Sequence, residues 1–203
     1  MRPMKGALFD LDGVLLDSEG TYSEFWATVD RRFPTGVPDF TNVIKGSNLQ
    51  EILEGYFAAE VRQQVTDILM GFQREMRYEF FAGALDYVRH LNAAGGPCCV
   101  VTSSDNDKMA SLYVQHPHFK SLFKSVVTGD MVTRAKPDPE CFVLGAKLIG
   151  VDPSDCWVFE DSLKGLQAGR AAGACVVGLA TTLSRAVIAP WCDRVVDSLA
   201  MLL

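Results

Sequence analysis

Five short apolar runs recur along the chain. None shows the strict alternation of apolar and polar residues that is typical of a strand with one solvent-exposed face. The runs are GALFDL (6–11), PCCVVT (97–102), SVVTG (125–129), CWVFED (156–161) and ACVVGL (174–179). A short run that is mostly apolar is typical of a strand covered on both faces, as in a parallel sheet. We therefore predict that these runs are strands of such a sheet.

Segments of helix length separate the later runs. Apolar residues recur at helical spacing in residues 83–96, which lead into the stop signal Gly95-Gly96-Pro97. Residues 138–150 and 161–173 each begin at polar capping residues and end at a glycine. Strands that alternate with helices predict βαβ units and a doubly wound parallel α/β sheet.

One connection is far longer than a crossover needs. About 65 residues separate the first strand from the helix near Gly83. Three stretches of this connection look helical, with apolar residues three or four positions apart: 18–33, 48–57 and 60–76. We predict an all-helical cap domain, residues 18–79, inserted into an α/β core domain made of residues 1–17 and 80–203.

Charge and cysteine content narrow the classes of protein. The 203 residues carry a formal net charge of −6, so attraction to nucleic acid or to an anionic membrane is not expected. No apolar run is long enough to cross a bilayer, and Asp10 and Asp12 interrupt the first run, so no leader is expected. The six cysteines form no CxxC pair, and four lie in apolar runs. We predict a reduced, cytoplasmic monomer without nucleic-acid or membrane partners.

Two aspartates lie at the end of the first predicted strand. Asp10 and Asp12 flank Leu11, and residues i and i+2 of an extended chain project to the same side. Gly13 permits a sharp turn directly after them. Two adjacent carboxylates are stable only if one keeps a proton or a cation neutralises them. A surface turn is the simpler interpretation of DxDG alone, but the carboxyl end of a parallel strand favours a ligand site.

A second acidic pair, Glu160 and Asp161, ends the run CWVFED and is followed by a helix. If this strand neighbours the first one, three or four carboxylates converge on one small volume. Such a cluster of oxygen ligands favours a hard divalent cation, and a site that also accepts phosphate favours Mg²⁺. Two unrelated surface pairs are the alternative.

Hydroxyl and amine groups could complete an anion site. Thr102, Ser103 and Ser104 end another predicted strand, where hydroxyls and backbone N–H groups at a helix N-terminus can bind an oxyanion. Ordinary helix capping would also explain Ser104 or Asp105. Lys136 lies in a loop stiffened by two prolines. A lysine can act as a point charge beside phosphoryl oxygens, although a solvated surface lysine is commoner.

Together these motifs resemble the haloacid dehalogenase superfamily of phosphatases. The matching segments are FDLDGV (9–14), VVTSS (100–104), KPDPECF (136–142) and VFEDSLKGLQAGRAAG (158–173). Their order and spacing are similar to those of the family over nearly the whole chain. The full residue pattern of these motifs most resembles the β-phosphoglucomutase-like branch. This resemblance implies a Rossmann-like core with a helical cap after the first strand.

The resemblance implies a role for each aspartate of the first motif. Asp10 would be the nucleophile that takes the phosphoryl group as an aspartyl phosphate. Asp12 would protonate the leaving oxygen and then activate the water that hydrolyses the intermediate. Dehalogenase and phosphonatase relatives lack an acid at the position of Asp12, so its presence favours phosphate esters.

The resemblance also implies a metal site and a phosphate site. Mg²⁺ would be held by the carboxylates of Asp10 and Asp161, the backbone carbonyl of Asp12 and, through a water, Glu160. The phosphoryl oxygens would be held by Thr102, the N–H of Ser103 and Lys136.

Two activities of this branch remain open: hydrolysis, and phosphoryl transfer between sugar hydroxyls. The mutases carry a histidine where this chain has Tyr22, and an arginine where it has Asn48 or Leu49. Both departures favour a phosphatase that acts on a small phosphorylated metabolite, in particular a sugar phosphate. The candidates for contact with the substrate are Ser18, Tyr22, Lys45 and Asn106. A second anionic group could be bound by Lys45, Arg74 or Arg77, although solvated charges are commoner.

A phospho-accepting receiver module is an alternative from another class. Receivers are similarly doubly wound and use an aspartate, Mg²⁺, a Thr or Ser and a Lys. They need no cap, and their acidic pair precedes the strand that bears the phospho-accepting aspartate. The long insert and the position of Asp12, two residues after Asp10, oppose this interpretation.

Overall fold

The structure is a computed structural model that describes residues 3–203. Within this range six strands form one sheet: Gly6–Phe9 (β1), Cys98–Val101 (β2), Ser125–Val127 (β3), Cys156–Glu160 (β4), Cys175–Leu179 (β5) and Arg194–Val196 (β6). The strand order is β3-β2-β1-β4-β5-β6, and every neighbouring pair is parallel. The predicted doubly wound parallel sheet is confirmed.

Helices cover both faces of this sheet. They are Ala84–Ala93 (α5), Asn106–Gln115 (α6), Glu140–Ile149 (α7), Leu163–Ala171 (α8) and Arg185–Ile188 (α9). Successive residues of β1 point to opposite sides, so Ala7 and Phe9 pack with residues of α5 and α6, whereas Leu8 packs with residues of α7 and α8. This double cover explains why β1 is apolar throughout and fully buried.

Four helices lie in the long connection after β1. They are Glu19–Arg32 (α1), Phe40–Val43 (α2), Leu49–Tyr56 (α3) and Ala59–Glu75 (α4). They bury an aromatic cluster of their own, in which the rings of Phe25 and Phe72 stack 4.3 Å apart and Trp26 meets Phe40 edge-on at 6.2 Å. No helix among residues 3–203 has both the length and the apolar character that crossing a membrane requires.

The two passages between these helices and the sheet run side by side. Leu16 pairs with Phe80, and the N–H of Asp17 donates to the carbonyl of Glu79 at 2.9 Å. The separate aromatic cluster and these adjacent passages support a cap of residues 18–79 on a core of 1–17 and 80–203. The division into two domains stays a prediction.

The structure corrects the strand boundaries at the ends that carry polar residues. β1 ends at Phe9 rather than at residue 11, because the chain turns at the aspartates. β6 was not predicted at all, since three residues that begin with an exposed arginine are too short to show a pattern. The predicted capping alternatives resolve to Ser162 for α8 and Asp105 for α6, whose side chains accept from Gly165 and Lys108 N–H groups.

Candidate active site

The predicted catalytic, metal-binding and phosphate-binding residues follow three neighbouring strands at one edge of the sheet. β1 lies between β2 and β4. The chain adds strands outward on one side from β1 to β3 and then on the other side from β4 to β6, so the connections change sides between β1 and β4. Asp10 follows β1, Thr102 follows β2 and Glu160 ends β4. Carboxyl ends of parallel strands meet at the same edge, and the point of reversal leaves a crevice there. The topology therefore brings the three loops together.

The turn after Asp12 depends on a glycine. Gly13 adopts a φ of +75°, a conformation that few other residues take. A Cβ atom at this position would lie 2.1 Å from Oδ2 of Asp161. The absence of a side chain thus lets the loop after β1 approach the loop after β4 closely enough for Asp10 and Asp161 to lie in one volume.

Lys136 bridges the first and fourth strands. Its ammonium donates to Oδ1 of Asp10 and to Oε1 of Glu160, both at 2.5 Å, and to the carbonyl of Val101 at 3.3 Å. The lysine is only 2% exposed, so these partners must satisfy its charge. The ammonium of a buried lysine is therefore held against the predicted nucleophile.

Three carboxylates converge beside this lysine. Asp10, Glu160 and Asp161 each offer an oxygen within 4.8 Å of the others. Burial raises the pKa of Asp10 to about 8, although Lys136 opposes the rise. Burial and the neighbouring charges of Glu160, Glu19 and Asp10 raise the pKa of Asp161 well above its ordinary range. A divalent cation would relieve this crowding of negative charge, and the all-oxygen donor set fits Mg²⁺.

Glu160 also shapes the turn that presents Asp161. Its Oε2 accepts from the N–H groups of Asp161 and Ser162, both at 2.9 Å, and from the Ser162 hydroxyl at 3.0 Å. A Cβ at Gly165 would lie 1.8 Å from Oε1 of Glu160, so the first turn of α8 must lack a side chain there. Its water-mediated contact with the metal stays a prediction.

Asp12 is held by a different set of donors. Both its carboxylate oxygens lie 2.5 Å from the ammonium of Lys108. Ser18 donates to Oδ1, and Ser104 donates to Oδ2 at 3.0 Å. Burial would raise the pKa of Asp12, but Lys108 and the two hydroxyls outweigh it, so this pKa lies below its ordinary value. The two aspartates of one motif thus have opposite pKa shifts, because Asp10 shares its lysine with the carboxylate of Glu160, whereas Asp12 has Lys108 and two hydroxyl donors.

Sequence reasoning missed Lys108, which is only 2% exposed. The polar segment SSDNDK around it looks no different from the start of a solvated helix. One signal was available: Lys108 precedes Leu112 by four residues, and both lie on the buried face of α6 with Met109. A lysine on the apolar face of a helix has to reach a buried acid.

The predicted phosphate residues lie beside Asp10. The N–H of Thr102 donates to the carbonyl of Val127 at 2.9 Å, and its hydroxyl accepts from the N–H of Ser104 at 3.0 Å. Thr102 and Ser103 line the same pocket as Asp10, whereas Lys136 lies buried against that aspartate. The three residues are positioned around one carboxylate, and their role as phosphate ligands stays a prediction.

This pocket is a cavity of about 120 Å³ between the sheet and the cap helices. Its core floor consists of Asp10, Asp12, Thr102, Ser103, Lys108 and Asp161. Its cap wall consists of Tyr22, Trp26, Leu49, Ile52, Leu69 and Gln73. At the rim the ammonium of Lys45 donates to the carboxylate of Glu19 at 2.7 Å.

The segment between α2 and α3 seals the pocket against the core. The hydroxyl of Ser103 donates to the carbonyl of Gly46 at 3.1 Å, and the ammonium of Lys164 donates to the hydroxyl of Ser47. A Cβ at Gly46 would lie 2.8 Å from the hydroxyl oxygen of Ser162. The cap is therefore in contact with the loops after β2 and β4, which is a closed arrangement.

The predicted substrate contacts separate into two groups. Tyr22 and Lys45 line the pocket. Ser18 is buried behind Asp12, to which it donates a hydrogen bond, so it positions that carboxylate. Asn106 is exposed, outside the pocket, and its Oδ1 accepts from the hydroxyl of Thr128 at 3.1 Å. Arg74 and Arg77 are also exposed and do not line the pocket.

Comparison with protein families gives one match that spans most of the chain. The family model of haloacid dehalogenase-like hydrolases matches residues 4–173. The match includes all four motifs that the sequence analysis singled out.

Individual relatives agree with this match. Hexitol phosphatase A of Escherichia coli K12 is 32% identical, over 86% of this chain and 82% of its own length. The bifunctional riboflavin kinase/FMN phosphatase of Arabidopsis thaliana is 28% identical over 95% of this chain, which spans only 52% of that protein. A solved structure from Bacteroides vulgatus, provisionally assigned as a β-phosphoglucomutase, is 26% identical with a TM-score of 0.81, covering 98% of this chain and 85% of that one.

Proposed function

The chain belongs to the haloacid dehalogenase-like hydrolase family, and we propose that it is a Mg²⁺-dependent phosphatase of small phosphorylated metabolites, in particular of a sugar phosphate. The observation that carries this proposal is the group formed by Asp10, Lys136 and Asp161 beneath a closed pocket. A carboxylate attacks a phosphate ester poorly because both are anionic. A lysine and a metal ion beside the carboxylate lower that repulsion.

In the proposed reaction Asp10 attacks phosphorus and the ester oxygen leaves as an alcohol. The attack forms an acyl phosphate on Asp10, and the protonated form of Asp12 supplies the proton that the leaving oxygen takes up. The ion pair with Lys108 holds the other form, the carboxylate, which the second step uses. Asp12 then removes a proton from the water that hydrolyses the acyl phosphate. Ser18, Ser104 and Lys108 hold the Asp12 carboxylate in place for this second step.

The carboxylate cluster supports the predicted metal dependence. Mg²⁺ would be held by Asp10, Asp161 and the backbone carbonyl of Asp12, and when bound it would offset charge on the carboxylates and the phosphoryl oxygens. Lys136 keeps its ammonium against Asp10, where it can also meet a phosphoryl oxygen. Thr102 and the N–H of Ser103 would bind the other phosphoryl oxygens.

The cap wall favours hydrolysis over mutase activity. Where the mutases have a histidine, Tyr22 has its hydroxyl buried and its ring packed edge-on against Phe72. Where they have an arginine, Leu49 adds an apolar side chain to the wall, and Asn48 uses its side chain to cap α3. None of these residues carries the imidazole or the guanidinium that the mutases have at these positions to steer a bound sugar phosphate back for a second transfer. Contact between the cap and the core loops suits both activities and does not distinguish them.

A substrate screen tests this proposal directly. Purified protein is incubated with sugar phosphates and other small phosphate esters, with Mg²⁺ or with EDTA, and free phosphate and isomerised product are measured separately. We expect phosphate release that requires Mg²⁺. Conversion of β-glucose 1-phosphate to the 6-phosphate far faster than phosphate appears would instead establish the mutase.

We also propose that the protein acts as a cytoplasmic monomer. Among the described residues, which include all six cysteines, no disulfide forms, and five of the six are buried, which suits a reducing compartment. Elution at the mass of one chain in size-exclusion chromatography would support the monomer, and elution at twice that mass would contradict it.

A further inference from the structure

We propose that Gln73 and Tyr22 form a recognition site for a hydroxyl group on the leaving group of the substrate. The same pocket excludes a substrate with a second anionic group. This inference rests on the proposed phosphatase function and assigns specificity to residues of the cap wall.

The side chain of Gln73 is a polar group enclosed without a partner. Gln73 lies in α4, is 4% exposed and lines the pocket. Its Oε1 is buried and accepts no hydrogen bond, whereas its backbone carbonyl accepts one from the hydroxyl of Tyr78 at 2.7 Å. A buried acceptor without a donor is costly, so native structures usually provide one. A donor from the ligand would satisfy this oxygen.

Tyr22 also lines this pocket and carries a second unpaired group. Its hydroxyl is buried without a hydrogen-bond partner. Its ring is held by packing against Phe72, with ring centroids 5.3 Å apart, and by the ammonium of Lys108, 4.3 Å from the centroid. Phe72 is the neighbour of Gln73 in α4, so one contact fixes α1 against the part of α4 that bears the amide. A tyrosine hydroxyl can donate or accept, which suits an alcohol.

The rest of the cap wall combines apolar side chains with the hydroxyl residues Ser23 and Thr41. The hydroxyl of Ser23 is already used, because it donates to the carbonyl of Glu19 at 2.8 Å. Trp26, Ile52 and Leu69 are buried and line the pocket. A carbon skeleton can pack against these residues while its hydroxyls reach the two unpaired groups. A cavity of about 120 Å³ lies well below the roughly 300–1,000 Å³ of sites for drug-sized ligands. The pocket therefore suits a small leaving group better than a nucleoside.

Charge pairing disfavours a second anion. Among the described residues that line the pocket, the basic ones are Lys45 and Lys108, and each is paired with a carboxylate. Glu19 lies 2.7 Å from Lys45, and the two side chains are only 24% and 13% exposed. A second phosphate or carboxylate would have to displace Glu19 and leave that acid unpaired beside Asp161. The sequence-based idea of Lys45 as a second anion site is thus weakened by its partner.

Three phosphate esters with a six-carbon skeleton test the recognition site. Glucitol 6-phosphate carries hydroxyls, hexyl phosphate carries none, and fructose 1,6-bisphosphate carries a second anion. We expect wild-type kcat/KM to be at least tenfold higher for glucitol 6-phosphate than for either of the others. A preference for hexyl phosphate, or equal turnover of the bisphosphate, would overturn the inference without any variant.

Two cap variants assign the preference to its residues. Gln73→Leu should reduce the ratio of kcat/KM between glucitol 6-phosphate and hexyl phosphate about tenfold, with hexyl phosphate turnover within twofold of wild type. Tyr22→Phe should reduce the ratio about threefold. Gln64→Leu is the matched control, because Gln64 is an exposed residue of the same helix, and it should leave the ratio unchanged.

The outcomes separate this inference from the proposed function. Mg²⁺-dependent phosphate release with a ratio that neither variant changes would overturn the recognition site and leave the phosphatase intact. No phosphate release from any ester by the wild type would overturn the phosphatase itself. If Gln73→Leu fails to fold, as circular dichroism would show, an unchanged ratio in Tyr22→Phe would still overturn the inference.

Discussion

The core floor and the cap wall of the pocket differ in how their polar groups are satisfied. On the core floor, Asp12 is paired with the buried Lys108 at 2.5 Å, and Asp10 shares the buried Lys136 with Glu160, also at 2.5 Å. On the cap wall, the Gln73 amide oxygen and the Tyr22 hydroxyl are buried without partners among apolar side chains. Both aspartates of the first motif are therefore already paired with cations in the absence of a substrate. The cap leaves two groups unpaired, which we propose a hydroxyl-bearing leaving group would satisfy.

The largest effect should come from the core floor at Asp10. We expect Asp10→Asn to lower kcat by roughly 10³-fold or more, because an amide cannot form the acyl phosphate. Phosphate release from the preferred ester is the measurement. Asp17→Asn is the control, since Asp17 is exposed, and it should retain wild-type activity. Comparable activity in Asp10→Asn would contradict the assignment of the nucleophile.

The second largest effect should come from loss of Lys108, the ion-pair partner of Asp12. We expect Lys108→Met to lower kcat by roughly 10- to 100-fold, because burial then acts on Asp12 without a compensating cation. The pKa of Asp12 should rise. The acidic limb of the kcat–pH profile should therefore move to higher pH, since the base must be ionised.

The control for Lys108→Met is Lys147→Met, which removes an exposed lysine from α7. It should change neither kcat nor the pH profile. A wild-type profile in Lys108→Met would show that the ion pair only stabilises the fold.

The third prediction concerns the metal and pH. Because burial raises the pKa of Asp10 to about 8 from 3.8, the metal-free native protein binds more protons than the unfolded chain between these pH values. Its stability therefore falls as pH rises through this window. Mg²⁺ should raise the Tm by several degrees at pH 8 and by less than half as much at pH 5. Thermal melts with Mg²⁺ or EDTA measure this difference.

Asp161→Asn provides the control for the metal effect. It should abolish most of the Mg²⁺-dependent shift in Tm, because it removes one of the three converging carboxylates. An equal shift in this variant and in the wild type would place the ion elsewhere.

The smallest effect should come from closure of the cap. Ser47→Ala removes the hydroxyl that accepts from Lys164 and should raise KM about twofold with kcat unchanged, because one surface hydrogen bond contributes little. Ser111→Ala is the control, since that hydroxyl bonds within its own helix, to the carbonyl of Asp107 at 3.2 Å. A large loss of kcat in Ser47→Ala would mean that closure also positions the reacting groups.

Much of the core could be predicted from local pattern. The apolar runs identified five of the six strands, and the acids at their carboxyl ends marked the edge where Asp10 and Asp161 meet. The family match and the phosphatase relatives confirm the predicted superfamily and the prediction of a phosphoric monoester hydrolase. β1 and β4 are neighbours in the sheet, as the shared metal site requires.

The partners of these acids could not be predicted from the local sequence. Lys108 lies 96 positions from Asp12, and no local pattern joins them. Asn106 shows the opposite error, because it lies near the phosphate motif in sequence but bonds to Thr128, away from the pocket. Gln73 stood in a helix-like stretch where nothing distinguished it from the exposed Gln64.

The sequence alone determined the sheet, the helical insert and the acids that carry the chemistry, because periodicity and strand ends are local properties of a chain. The tertiary structure alone decided which lysine neutralises which acid and which polar groups remain unpaired in the pocket. Both features depend on contacts between residues far apart in sequence. A buried polar group without a partner costs free energy, and a partner from a distant part of the chain removes that cost.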